Sequence, residues 1–166
     1  MATDDLLARA VVDGWAEQDL PGQPWPFLAF CSISRFQQVL FRALDSELKQ
    51  YEISRLGYFL LTTLTLSGRS AGLGALSRMV MVHPTTVKLT IDQLEAAGLV
   101  VRESHPTDRR ATLAVLTDQG LERVRAIGAA LDGAETEGPM GALNGRFQEL
   151  FEALQPLRMA VGDTEL

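Results

Sequence analysis

The loop "SHPTDRR", residues 104 to 110, gathers Asp108, Arg109 and Arg110 between two short β-branched runs. Arginines in a polar loop suit two chemistries: gripping a phosphate in an active site, or reaching into a nucleic-acid groove, because the planar guanidinium matches phosphate oxygens. A second set, Thr85, Thr86, Lys88 and Leu89, offers hydroxyl and amine donors for phosphates or base edges and one apolar contact for a thymine methyl. No phosphate-binding loop is present, since Gly72 and Gly74 lack the lysine and the spacing of one. His83 and His105 have neither HExxH nor Cys/His zinc spacing. The chain therefore reads as a non-enzyme, with no catalytic residues, no metal and no cofactor.

The charge distribution favours the groove. The whole chain of 166 residues carries −6, yet residues 69 to 110 hold six Lys or Arg against four acids, a balance of plus 2 that leaves −8 on the remainder. A basic middle between acidic ends is what local phosphate binding requires. No run approaches the roughly 18 apolar residues of a membrane span. The opening residues carry aspartates and no Lys or Arg before Arg9, unlike a secretory leader. A lone cysteine, Cys31, cannot form an internal disulfide, which points to a reducing, cytoplasmic setting. Its neighbours in "FLAFCSI" are apolar, so an inert packed thiol is expected rather than a reactive thiolate.

These side chains need elements to hold them. Residues 4 to 18 read as a helix that "PGQPWP", 21 to 26, stops. Ile33, Phe36, Leu40, Leu44 and Leu48 predict a long helix from about Ser32 to Gln50. A shorter, more apolar helix follows, capped at Ser54. Then come two short helices, "AGLGALSRMVMV" and "HPTTVKLTIDQLEAAGLV", with a turn at His83 and Pro84. In the second, Val87, Ile91 and Leu94 form the buried stripe, which turns Thr85, Thr86, Lys88, Leu89 and Asp92 largely outward, and Gly98 ends the helix. "LVVRE" (99 to 103) and "ATLAVL" (111 to 116) read as paired strands. Thr117 caps the next helix, residues 133 to 141 form a break, and a last helix carries Leu143, Phe147, Leu150 and Leu154 on one face. That stripe suits docking on the core or an intertwined dimer equally well. The expected fold is mainly α (α+β), a winged helix-turn-helix in which an amphipathic helix fits the major groove and the arginine loop lies against the adjacent minor groove.

The segment "LGALSRMVMVHPTTVKLTIDQLEAAGLVVR" followed by "HPTDRRATLAVLTDQG" resembles the multiple antibiotic resistance regulator (MarR) family, with Asp108, Arg110, Leu116, Thr117 and Gly120 matching its wing signature in type and spacing. The resemblance runs from about residue 30 to the end; the residues before it look like an extension. It implies a homodimeric transcriptional regulator of palindromic double-stranded DNA. The lobe would span 54 to 116, and 1 to 50 and 117 to 166 would supply dimerisation helices in a single chain of 1 to 166. It also implies a small phenolic or aromatic effector between dimer helices and lobe, for which Phe36, Tyr58 and Phe59 are the candidate residues. Lys88 and Leu89 depart from the family's usual groove-reading pair, and His105 stands where an acid is common. Relatives that sense peroxides carry their cysteine about one turn earlier, at the position of Phe27. Asp108 is expected to pair with Arg110 and shape the wing, since a free carboxylate there would repel phosphate. The rival class is a winged-helix protein-interaction module that does not bind DNA.

Overall fold

The structure, a computed structural model, describes residues 5–105, 107, 112–132, 138–143 and 145–163. The chain divides into two units, Met1–Arg42 and Ala43–Leu166. In the first, α1 (Leu6–Glu17) starts where the Asp5 carboxylate accepts from the Leu7 and Ala8 amides, and Trp15 tilts against Phe27 with ring centroids 6.3 Å apart. The second helix, α2 (Trp25–Leu48), begins earlier than the Ser32 expected from its apolar spacing. Pro26 permits the earlier start: a proline in a first helical turn has no bonded amide to lose, so the "PGQPWP" segment also opens a helix. The same helix crosses into the second unit, where Leu44 and Leu48 are buried.

A 3-10 turn (Lys49–Tyr51) leads to α3 (Arg55–Leu66), whose Ser54 cap accepts from the Gly57 amide at 3.1 Å. Next come β1 (Ser70–Gly72), α4 (Leu73–Met79), α5 (Pro84–Ala96), β2 (Val100–Ser104), β3 (Thr112–Leu116) and α6 (Asp118–Asp132). Two further helices, α7 (Gly138–Ala142) and α8 (Phe147–Ala160), close the described chain. Helix α7 occupies part of the stretch read as a break. Strand β1 is the element the sequence reading missed, having assigned Ala71 onward to a helix. It exists through pairing: Ser70, Ala71 and Gly72 lie opposite Val115, Ala114 and Leu113, making an antiparallel sheet of order β1-β3-β2.

The main core joins Leu60, Leu61 and Leu64 of α3 to Leu76 of α4, to Val87, Ile91 and Leu94 of α5, and to Leu99, Val100, Ala114 and Leu116. Burying so many Leu, Ile and Val side chains, at about 1.5–3 kcal/mol each, is what fixes α5 against the sheet. A second cluster groups Leu44, Leu48 and Ile127 with partly buried Tyr51, Ile53, Tyr58, Phe59 and Leu131. At the junction of sheet and α6, Thr117 Oγ1 donates to the Gly98 carbonyl at 2.8 Å and accepts from the Gly120 amide at 3.0 Å. Gly120 must be glycine there, because a Cβ would run into the Leu99 carbonyl oxygen. No helix among the described residues is long and apolar enough to cross a membrane.

Candidate nucleic-acid interface

The pair α4 and α5 is joined by a turn whose chemistry is local. Ser77, buried, donates through Oγ to the Val82 carbonyl at 2.5 Å, tying the turn back to α4. Met81 takes a left-handed φ of 51°. His83 is the N-cap of α5: its Nδ1 accepts from the Thr85 amide at 3.2 Å, and Pro84 occupies the first turn. The sequence marks His83 as part of the turn but not as the cap, a role usually taken by Ser, Thr, Asp or Asn. The far end stops where Gly98 adopts φ +73°, which glycine takes without strain.

Between these ends the two faces of α5 separate cleanly. Val87, Thr90, Ile91 and Leu94 are buried, with Thr90 Oγ1 returning a bond to the Thr86 carbonyl at 3.0 Å. Thr85, Thr86, Lys88 and Leu89 are exposed, Leu89 at 59%. All four residues singled out for groove contact thus lie on the solvent face, on the first two turns of the helix. Asp92 and Glu95 are held by Arg102 of β2, at 2.5 and 2.8 Å. Arg69 is likewise paired, with Asp118 at 2.6 Å. Two of the six basic residues counted in the middle segment are therefore occupied internally, which the sequence could not reveal because their partners meet them only in the fold.

Asp108, Arg109 and Arg110 lie outside the described residues. At the base of that loop, His105 Nδ1 sits 3.3 Å from the Thr107 amide. Of the candidate effector residues, Tyr58 and Phe59 lie together, ring centroids 6.0 Å apart, against the Leu44, Leu48 and Ile127 cluster. Phe36 belongs to the first unit and is 39% exposed. Cys31 is partly buried.

The MarR family profile matches residues 53–112. Sco5413, a MarR family transcriptional regulator from Streptomyces coelicolor, is 35% identical; the match covers 87% of this chain and all (100%) of that one, with a TM-score of 0.71. The HTH-type transcriptional regulator PecS of Dickeya dadantii (strain 3937) is 26% identical over 124 residues, 74% of this chain and 75% of PecS. The fold is also that of Sco3205, a MarR family regulator from Streptomyces coelicolor solved in complex with DNA, at TM-score 0.65 and 24% identity, covering 81% of this chain and 86% of that one. A winged helix-turn-helix running from α3 to β3, with a regulator 35% identical matched along its whole length, makes this chain a member of the MarR family: a DNA-binding transcriptional regulator and not an enzyme.

Proposed function

We propose that the chain is a cytoplasmic, homodimeric repressor that reads palindromic duplex DNA and is released by a small aromatic or phenolic effector. The observation that carries the DNA-reading part is the division of α5, whose apolar stripe is buried while Thr85, Thr86, Lys88 and Leu89 are presented together to solvent. In the major groove the threonines and Lys88 donate to phosphates or base edges and Leu89 packs on a thymine methyl. Arg109 and Arg110 act from the wing on phosphate charge and minor-groove width, and Asp108 pairs with Arg110 to shape the loop.

The dimer reading rests on α8, which exposes Phe151, Leu154, Leu157 and Met159 and buries none of its residues. Two identical heads match half-sites about 34 Å apart only if a stable interface fixes their separation. In this reading residues 54 to 116 form the DNA-binding lobe, and 1 to 50 and 117 to 166 supply the dimerising helices. An effector beside Phe36, Tyr58 and Phe59 would bind two spacings of the heads with different affinity; a coupling of about 1–3 kcal/mol changes DNA binding roughly 5- to 150-fold.

A protection assay on the DNA flanking the protein's own gene tests the proposal. The expected result is a protected palindrome of two half-sites one helical turn apart, which fades when the right aromatic acid is added. A protein that protects no duplex and instead retains its only affinity for another protein would be the interaction module, a reading that the exposed Leu89 and the net charge of −6 favour.

A further inference from the structure

We infer that Arg102 is a positioning residue for DNA recognition, a clamp that sets the angle between the recognition helix α5 and the wing hairpin β2–β3. The inference rests on the DNA-reading role proposed above and concerns a residue that does not itself touch DNA. On β2, Val100 and Arg102 share one face of the sheet, as side chains two apart must. Val100 is buried in the main core under α5, so Arg102 emerges where that core meets solvent along the same helix. Its Nη1 lies 2.5 Å from Asp92 Oδ1 and 2.8 Å from Glu95 Oε2, and its Nη2 donates to the Lys88 carbonyl at 3.5 Å.

Residues 88, 92 and 95 follow the i, i+4, i+7 spacing, so one guanidinium touches three levels of one helix face, spanning about 10 Å at 1.5 Å per residue. The side chain is only 24% exposed and its backbone is fixed opposite Ala114 of β3. A planar fork with several donors imposes a direction as well as an attraction, which an ammonium on a flexible stem does not. Two carboxylates already claim the guanidinium, so it releases no counterions from DNA. They also flank the face that carries Lys88 and Leu89, and Arg102 offsets their charge there.

With the Asp92 and Glu95 carboxylates 43% and 38% exposed, these ion pairs contribute little to global stability. Their effect is on geometry: the helix must enter the major groove while the wing meets the neighbouring minor groove, and a loosened angle costs the matched sequence more than an unmatched one, which is bound through phosphates in many orientations.

The experiment compares wild type with Arg102→Ala, Arg102→Lys and the double variant Asp92→Ala/Glu95→Ala. Each is titrated with the duplex that the wild type selects from a random pool and with a shuffled duplex, across a range of KCl concentrations. Arg102→Ala should cost the selected duplex about 10-fold more affinity than the shuffled duplex, whose smaller loss comes from the uncovered Asp92 and Glu95 carboxylates, and should leave the salt slope nearly unaltered, since no phosphate contact is lost. Arg102→Lys, which keeps the charge and loses the fork, should recover only part of the preference. The double variant, which keeps Arg102 and removes its partners, should bind shuffled DNA more tightly while its preference falls.

Equal weakening of both duplexes with the salt slope lowered by about 1 would make Arg102 a phosphate contact and overturn the inference. So would an unchanged preference in Arg102→Ala, or a double variant that tightens on both duplexes alike. If Arg102→Ala does not fold, the double variant decides by the same ratio. A wild type that selects no duplex overturns the DNA-reading role and the clamp together, whereas a selective wild type beside an equally selective Arg102→Ala overturns the clamp alone.

Discussion

Helices α5 and α8 are both amphipathic, and they end differently. Every apolar position on the inner stripe of α5 is buried by α3, α4 and the sheet, whereas α8 leaves Phe151 at 53% and Leu157 at 62% exposed. One helix is completed by its own chain. The other leaves its apolar face in water, and each large side chain left there forgoes a stabilisation of about 1.5–3 kcal/mol. In the proposed dimer each reading head is rigid within its own subunit, while the distance between heads depends on the association of two chains.

If that contrast is right, core and surface substitutions should report differently. Ile91→Ala should lower unfolding stability by about 2–5 kcal/mol in urea, because the main core around it closes only partly over the cavity. Gly120→Ala belongs with it: the new methyl meets the Leu99 carbonyl and must force α6 away from the sheet, so a stability within about 0.5 kcal/mol of wild type would show that this junction yields. Phe151→Glu should instead leave each lobe folded and weaken dimerisation by at least about 2 kcal/mol, roughly 30-fold, as read by sedimentation equilibrium. A wild type that stays monomeric at micromolar concentration and on DNA would remove the contrast altogether.

Smaller effects sharpen the reading-head side. Leu89→Ala should cost about 1–3 kcal/mol on the selected duplex and relax preference at one base step, without changing the melting of the protein. Alanine at Arg109 or Arg110 should weaken all duplexes alike and lower the salt slope by about 1. Thr117→Ala, losing one bond to Gly98 and one to Gly120, should cost about 1 kcal/mol of stability, measured by thermal unfolding.

What the sequence made legible was whatever depends on near neighbours along the chain. Pro84 in a first turn, Gly98 at positive φ, the Ser54 and Thr117 caps and the Val87, Ile91, Leu94 stripe all state their structure locally. Strand β1 was not legible: three small residues have no alternation of their own and become a strand only opposite Val115, Ala114 and Leu113. The start of α2 was hidden by prolines that mark both an end and a beginning. On the interface, the outward turn of Thr85, Thr86, Lys88 and Leu89 followed from helical periodicity, while the engagement of Arg102 by Asp92 and Glu95 did not, since strand and helix approach each other only once the core has formed.

The most direct test of DNA reading by the α5 face is the affinity of the wild-type protein for its selected duplex and for a shuffled duplex, each followed across KCl concentration. A dimeric reader gives log K falling linearly with log salt on both, and prefers the selected duplex by about 1,000-fold or more at physiological salt. Equal affinity for the two duplexes at every salt concentration would contradict it.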